Sequence, residues 1–174
     1  CYSLGLVNIS ALNPGNGNIN DHRVGGFIGE NQNADLHNCY SAGKVTATVG
    51  DDPTNRGIAG QVLGSGTKAS NFWDTEASLQ SSSHTGDGGT GKTTEEMRYY
   101  RTFTNEGWGF ILETANGEDD IWDMDQDETI NSGYPIFSWL DGADEILSNT
   151  DILLPDSLEF EEDGNLEQDF TSYI

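Results

Sequence analysis

The alternation of apolar and polar positions changes character near residue 93. Before that point apolar residues come singly or in short groups, and Gly, Asn, Ser and Thr, which serve turns, fill the spaces between them. Helix formers are sparse there, so the pattern predicts short strands with many turns rather than a helical bundle. Leu4, Val7, Phe27, Ile28, Leu36, Cys39, Val45, Ile58, Val62 and Phe72 are the positions expected to face inward. One short helix is expected near residues 93–101, where Thr93 or Thr94 can cap Glu95-Glu96-Met97-Arg98-Tyr99-Tyr100 and acids occupy the first turn. Further on, Ile121-Trp122-Asp123-Met124 reads as a strand running into an acidic turn.

The chain also resembles itself. Cys1-Tyr2-Ser3-Leu4-Gly5-Leu6-Val7 returns 38 residues later as Cys39-Tyr40-Ser41-Ala42-Gly43-Lys44-Val45, with five of seven positions identical. Val24-Gly25-Gly26-Phe27-Ile28-Gly29-Glu30-Asn31 leads into the second copy, and Ile58-Ala59-Gly60-Gln61-Val62-Leu63-Gly64 leads into Asn71-Phe72-Trp73. That last copy is degenerate, with Phe72 standing where the others have Cys. A unit this small cannot bury an apolar face alone, but stacked units can. The expected fold is therefore all-β, a β-solenoid of stacked repeats with a small C-terminal cap containing one short helix. Residues 1–75 would form the coils, with Asn38 and Asn71 in a side-chain ladder at one corner. Residues 76–140 would form the cap, and residues 141–174 an acidic linker or the start of a following module. The sequence opens inside a repeat, so further repeats are expected on its N-terminal side.

Gly-Gly-Phe-Ile-Gly-Glu-Asn followed by Asn-Cys-Tyr-Ser-Ala-Gly-Lys-Val resembles the GLUG-motif repeats of bacterial surface proteins. Asn71-Phe72-Trp73-Asp74-Thr75-Glu76, Gly88-Gly89-Thr90-Gly91-Lys92-Thr93-Thr94-Glu95-Glu96-Met97, Gly107-Trp108-Gly109-Phe110 and Ile121-Trp122-Asp123 are similar to the segment that often closes such arrays. Gln61 and Leu63 depart from the glycine-rich pattern. The resemblance covers roughly residues 1–140. It implies adhesin-like proteins, or non-catalytic parts of secreted peptidases, and it supplies no catalytic residue.

Charge narrows the partners. All seven bases and ten acids lie before position 102, whereas twenty acids and no base follow it, for a net charge of −23. Such a field repels nucleic acid and anionic lipid. No stretch is apolar enough to span a bilayer, so membrane insertion is not expected of this fragment. A host protein, a surface protein or a glycan is the partner class left, and the expected location is extracellular or at the bacterial cell surface.

Candidate chemistry is thin. Gly86-Asp87-Gly88-Gly89-Thr90-Gly91-Lys92-Thr93 satisfies the phosphate-loop pattern, but the polar run 78–85 before it cannot form the buried strand that such a loop needs. It reads as a glycine-rich loop ending in a helix cap. Asp123, Asp125 and Asp127 match the first three acidic positions of a calcium loop, so calcium is the one metal considered. The match stops there, since Glu128 stands where the loop needs Gly and Tyr134 where it needs Glu. Cys1 and Cys39 occupy equivalent positions and are expected as inward-facing thiols. His22, His37 and His84 lack metal-ligand spacing. Trp73, Trp108, Trp122 and Trp139 are expected in a small cap core with Phe103, Phe110 and Tyr134, a carbohydrate-stacking platform being the alternative. No catalytic and no cofactor-binding residue is picked out. The reading at this point is a non-catalytic repeat or scaffold segment of a surface protein, active in adhesion or surface interaction; the alternative is a non-catalytic module of a secreted peptidase or polysaccharide-active enzyme.

Overall fold

In the computed structural model, which describes residues 1–9, 23–47, 56–111, 113–116, 119–124 and 130–140, frequent turn residues keep every strand to between two and five residues. In chain order the strands are β1 (Tyr2–Ser3), β2 (Val7–Ile9), β3 (Ile28–Gln32), β4 (Leu36–His37), β5 (Tyr40–Ser41), β6 (Val45–Ala47), β7 (Ala59–Leu63), β8 (Lys68–Ala69), β9 (Asn71–Asp74), β10 (Gly89–Lys92), β11 (Trp122–Met124) and β12 (Pro135–Phe137). Three short helices join them: α1 (Thr75–Ser78), α2 (Thr94–Met97) and α3 (Arg101–Thr104). Backbone contacts group Cys1–Ala143 as one unit and Asp144–Ile174 as another; the second lies outside the described residues.

Strands β1, β5, β9 and β10 form a four-stranded parallel sheet. Its register sets Tyr2 opposite Tyr40, Tyr40 opposite Phe72, and Phe72 opposite Thr90. Three two-stranded parallel sheets, β2–β6, β3–β7 and β4–β8, lie along the same stretch of chain, and β11 pairs antiparallel with β12. At one corner Asn38, Ser70 and Gly88 all take positive φ (51°, 53° and 67°). Asn and Ser tolerate that conformation at some cost. At the third corner a Cβ on Gly88 would also meet the Lys68 carbonyl carbon at 2.4 Å.

The expected all-β solenoid of stacked repeats does not form. The described residues make a mixed α/β arrangement of several small parallel sheets with three helices, not one closed β-helix. Two features cause this. The in-register partners lie 38, 32 and then 18 residues apart, so no equal unit is propagated. And β9 ends on Asp74, whose buried carboxylate accepts from the N–H groups of Glu76 and Ala77 at 2.8 and 2.7 Å and starts α1. The chain thus reaches β10 through a helix, as a parallel crossover. The readings that rested on a stack, namely a repeat or scaffold segment and its secreted-module alternative, lose their basis with it.

Among the described residues the single expected helix is replaced by three α-helices, none longer than four residues. Thr93 caps α2 with a capping box, its hydroxyl accepting from Glu96 N–H while the Glu96 carboxylate accepts from Thr93 N–H. The expected Asn38–Asn71 ladder is also corrected. Asn71 lies level with Cys39, not Asn38, and its Oδ1 accepts from the Cys39 N–H at 3.0 Å.

The core is largely aromatic. Tyr40, Phe72, Phe103, Trp108, Phe110 and Trp122 are buried together with Met97 and Ala42. A second cluster joins Leu36, Cys39, Ile58, Ala59 and Trp73, with Phe27, Ile28 and Val62 packed against it; a third joins Val24 and Val45. Leu4, expected inward, is instead 39% exposed just after β1.

Candidate functional site

An open cleft of about 790 Å³ lies between α1 and α2, lined by Glu76, Thr94, Glu95, Glu96, Arg98 and Tyr99. Two local rules set its walls. Asp74 fixes the start of α1, which carries Glu76 in its first turn. The capping box of Thr93 fixes α2, which carries Thr94, Glu95 and Glu96. Glu76 Oε2 then accepts from Thr94 N–H at 2.9 Å and ties the two walls together.

Arg98, one of the lining residues, holds its guanidinium 5.5 Å over the Tyr134 ring, and Tyr134 O–H donates to Asp74 Oδ2 at 2.7 Å. Burial, reinforced by the hydrogen bond to Asp74, pushes the Tyr134 phenol up to about 12. The hydrogen bond from Thr93 N–H holds the Glu96 carboxyl below its ordinary value, with Lys92, 3.7 Å away, acting in the same direction. The half-exposed Tyr99 ring stands edge-on to Tyr100 at 5.9 Å. Three carboxylates, one guanidinium and one phenol thus meet at an open surface.

The glycine-rich loop that satisfies the phosphate-loop pattern is spent on the fold. Its residues Gly89–Lys92 are strand β10, Lys92 pairs with Glu96, and Thr93 caps α2. Asp87 turns inward and is 3% exposed. Its carboxylate accepts from Gly89 N–H at 2.9 Å, from Ala59 N–H at 3.3 Å and from the Ser83 hydroxyl. Ser83 Oγ in turn accepts from Ile58 N–H at 2.7 Å. The amide that a phosphate would need at Gly89 is therefore occupied by a carboxylate of the same loop. Asn71 completes this knot by donating to the Leu36 and Asp87 carbonyls.

Of the calcium candidates, Asp123 is buried on β11, where its Oδ1 accepts from its own neighbour's amide, Met124 N–H, at 2.7 Å. Asp125 and Asp127 lie outside the described residues. Among the described residues no group of three or more His, Cys, Asp or Glu side chains is placed to hold a metal. Cys39 is a buried thiol whose Sγ donates to the His37 carbonyl, and burial pushes its titration upward; Cys1 is exposed. His37 is exposed, His84 is bound to the Thr85 carbonyl, and His22 lies outside the described residues.

Three of the four tryptophans are core. Trp108 and Trp122 belong to the main aromatic cluster, and Trp73 to the second, with Trp73 and Trp108 donating to the Gln80 and Ser70 carbonyls. Trp139 is 67% exposed. The sequence reading passed over Asp74, Asp87 and Tyr134 as anchors. Asp74 alone carried a usable signal, an Asp followed by Thr-Glu-Ala at a helix start.

The GLUG motif model matches residues 20–46. A protein of Evansella cellulosilytica named "Putative Gly-rich membrane protein" is 34% identical over 108 residues, 60% of this chain. The chain spans only 11% of that relative's length. No solved structure matches. These findings point to the broad group of GLUG-containing bacterial surface proteins. No helix among the described residues is long and apolar enough to cross a membrane.

Proposed function

We propose that the chain is a compact, non-catalytic ligand-binding domain of a bacterial protein facing the outside of the cell, and that the α1–α2 cleft receives a small polar ligand bearing a cationic group. The observation that carries this reading is the cleft itself, where Glu76, Glu95 and Glu96 outnumber Arg98 and the Tyr99 ring stands half exposed. A cation is drawn there by the three carboxylates and can lie against an aromatic face. The absence of catalysis is supported by how the polar groups are used. Asp74, Asp87, Ser83 and Asn71 each hold backbone amides or carbonyls in place. An outward-facing location is supported by the GLUG segment and the surplus of acids.

The test is a melting-temperature series on the full chain with putrescine, lysine and glucosamine. Binding to the folded state raises the melting temperature with ligand concentration, by mass action. The rise should shrink in Glu95→Gln, and the ligand should be recovered unchanged by mass spectrometry. No rise with any of the three up to about 10 mM would remove the cleft as a site, and recovery of altered ligand would remove the non-catalytic reading. Protease treatment of intact cells checks the location: an outward-facing domain is cut without lysis.

A further inference from the structure

Apart from the cleft, one aromatic ring is held rigidly while leaving most of its surface in water. Trp139 stacks on Phe137 with centroids 4.6 Å apart and planes 4° apart. Phe137 stacks on Trp122 at 4.9 Å, and Trp122 packs on Trp108 at 4.6 Å, so a file of rings runs from the buried core to the surface. The backbone on either side is fixed. Ser138 N–H donates to the Ile121 carbonyl at 3.0 Å, and Leu140 N–H donates to the Phe137 carbonyl at 2.9 Å. Ser138 Oγ also donates to the Asp120 carbonyl at 2.8 Å, which brings the exposed Asp119-Asp120 pair to this end of β12. Although stacked on Phe137, Trp139 stays two-thirds exposed.

The geometry points to Trp139 as a stacking platform for a neutral pyranose ring of a glycan. The apolar C–H face of a hexose lies flat on an indole, and a platform already fixed by stacking loses little freedom on binding. Exposed carboxylates are hydroxyl acceptors, and Asp119 and Asp120 supply them. Charge selects among glycans. No base follows Arg101 along the chain, so uronates, sulfated sugars and anionic lipid surfaces are repelled while an uncharged ring is not. This surface is independent of the α1–α2 cleft and does not depend on the reading given for it.

The experiment uses the full chain with cellohexaose, maltohexaose and chitohexaose, followed by tryptophan emission and calorimetry. Trp73, Trp108 and Trp122 are buried, so a ligand-induced emission change reports Trp139. At least one of the three sugars should give a saturable change. Trp139→Ala should weaken that binding about tenfold or more with an unchanged melting curve, since the ring buries so little, and Trp139→Tyr should retain most of it. Arg98→Ala should bind the sugar as the parent does. The proposal is overturned if none of the sugars binds, if Trp139→Ala binds equally well, or if Trp139→Ala lowers the melting temperature by several degrees. It is also overturned if sedimentation shows the chain pairing with itself through Trp139, because the ring would then be an interface between copies.

Discussion

Asp87 and Tyr40 show what a single buried polar group does in this chain. Asp87 gathers two amides and a hydroxyl from three segments. Asp87→Ala would strand the Gly89 amide and the Ser83 hydroxyl, while Ala59 N–H keeps Ser83 Oγ at 3.3 Å; unsatisfied buried donors cost about 1–3 kcal/mol each. The variant is expected to lose about 3 kcal/mol or more in urea melts. Tyr40 stacks on Tyr2 and Tyr134, accepts from Asn131 Nδ2 at 2.8 Å, and donates to the Pro135 carbonyl at 2.6 Å. Burial raises its titration far above the ordinary tyrosine range, and Tyr134 is raised to about 12. Both folded values lie above the unfolded value, so the stability these phenols contribute is complete below about pH 10 and is lost as pH climbs through the folded values. Denaturant melts at rising pH should show stability falling from about pH 10 upward, with a shallower fall in Tyr134→Phe.

At the scale of the element, capping decides where strands give way to helices. Thr93→Ala removes one half of the capping box and should cost about 1 kcal/mol, read from the melting curve. Glu96 supplies the other half. Its folded value is lowered, so its contribution is present above the ordinary glutamate range and fades as pH falls through that lowered value. Glu96→Gln should therefore flatten the acid limb of the stability profile. The Thr93 cap was legible, because a Thr two and three places ahead of paired Glu is a local signal. The pairing of Cys1-Tyr2-Ser3 beside Cys39-Tyr40-Ser41 was legible for the same reason, since like side chains repeat at one spacing. The third strand was misaligned because two asparagines, Asn38 and Asn71, look interchangeable in sequence. The corner needs a positive φ, and Ser70 supplies it, which moves Asn71 one place into the strand. Helix α1 was missed because Asp74 ends an apolar run and reads equally well as a turn.

For the molecule as a whole, acid surplus dominates. Arg23 with Glu30 and Lys92 with Glu96 form ion pairs, both on partly exposed side chains. A net charge of −23 repels itself, and salt screens that repulsion beyond about 10 Å at 0.1 M. Raising sodium chloride from low concentration should lift the melting temperature by a few degrees, where a fold relying on ion pairs would lose stability. The global architecture was the least legible level. Self-similarity announced neighbours correctly for two strands, yet it said nothing about the shrinking interval between partners or about the helix inserted before β10. The cleft was equally hidden, since Glu76 and Thr94 meet only once α1 and α2 are both in place.

The hydrogen bond from Tyr40 to the Pro135 carbonyl joins groups 95 residues apart. A chain made in the N-to-C direction leaves the Tyr40 phenol uncovered until the segment 95 residues further on has also left the ribosome. Contacts of such long sequence separation slow folding. The early parallel strands must therefore wait, half covered, and incomplete chains present sticky aromatic edges to one another or to a chaperone.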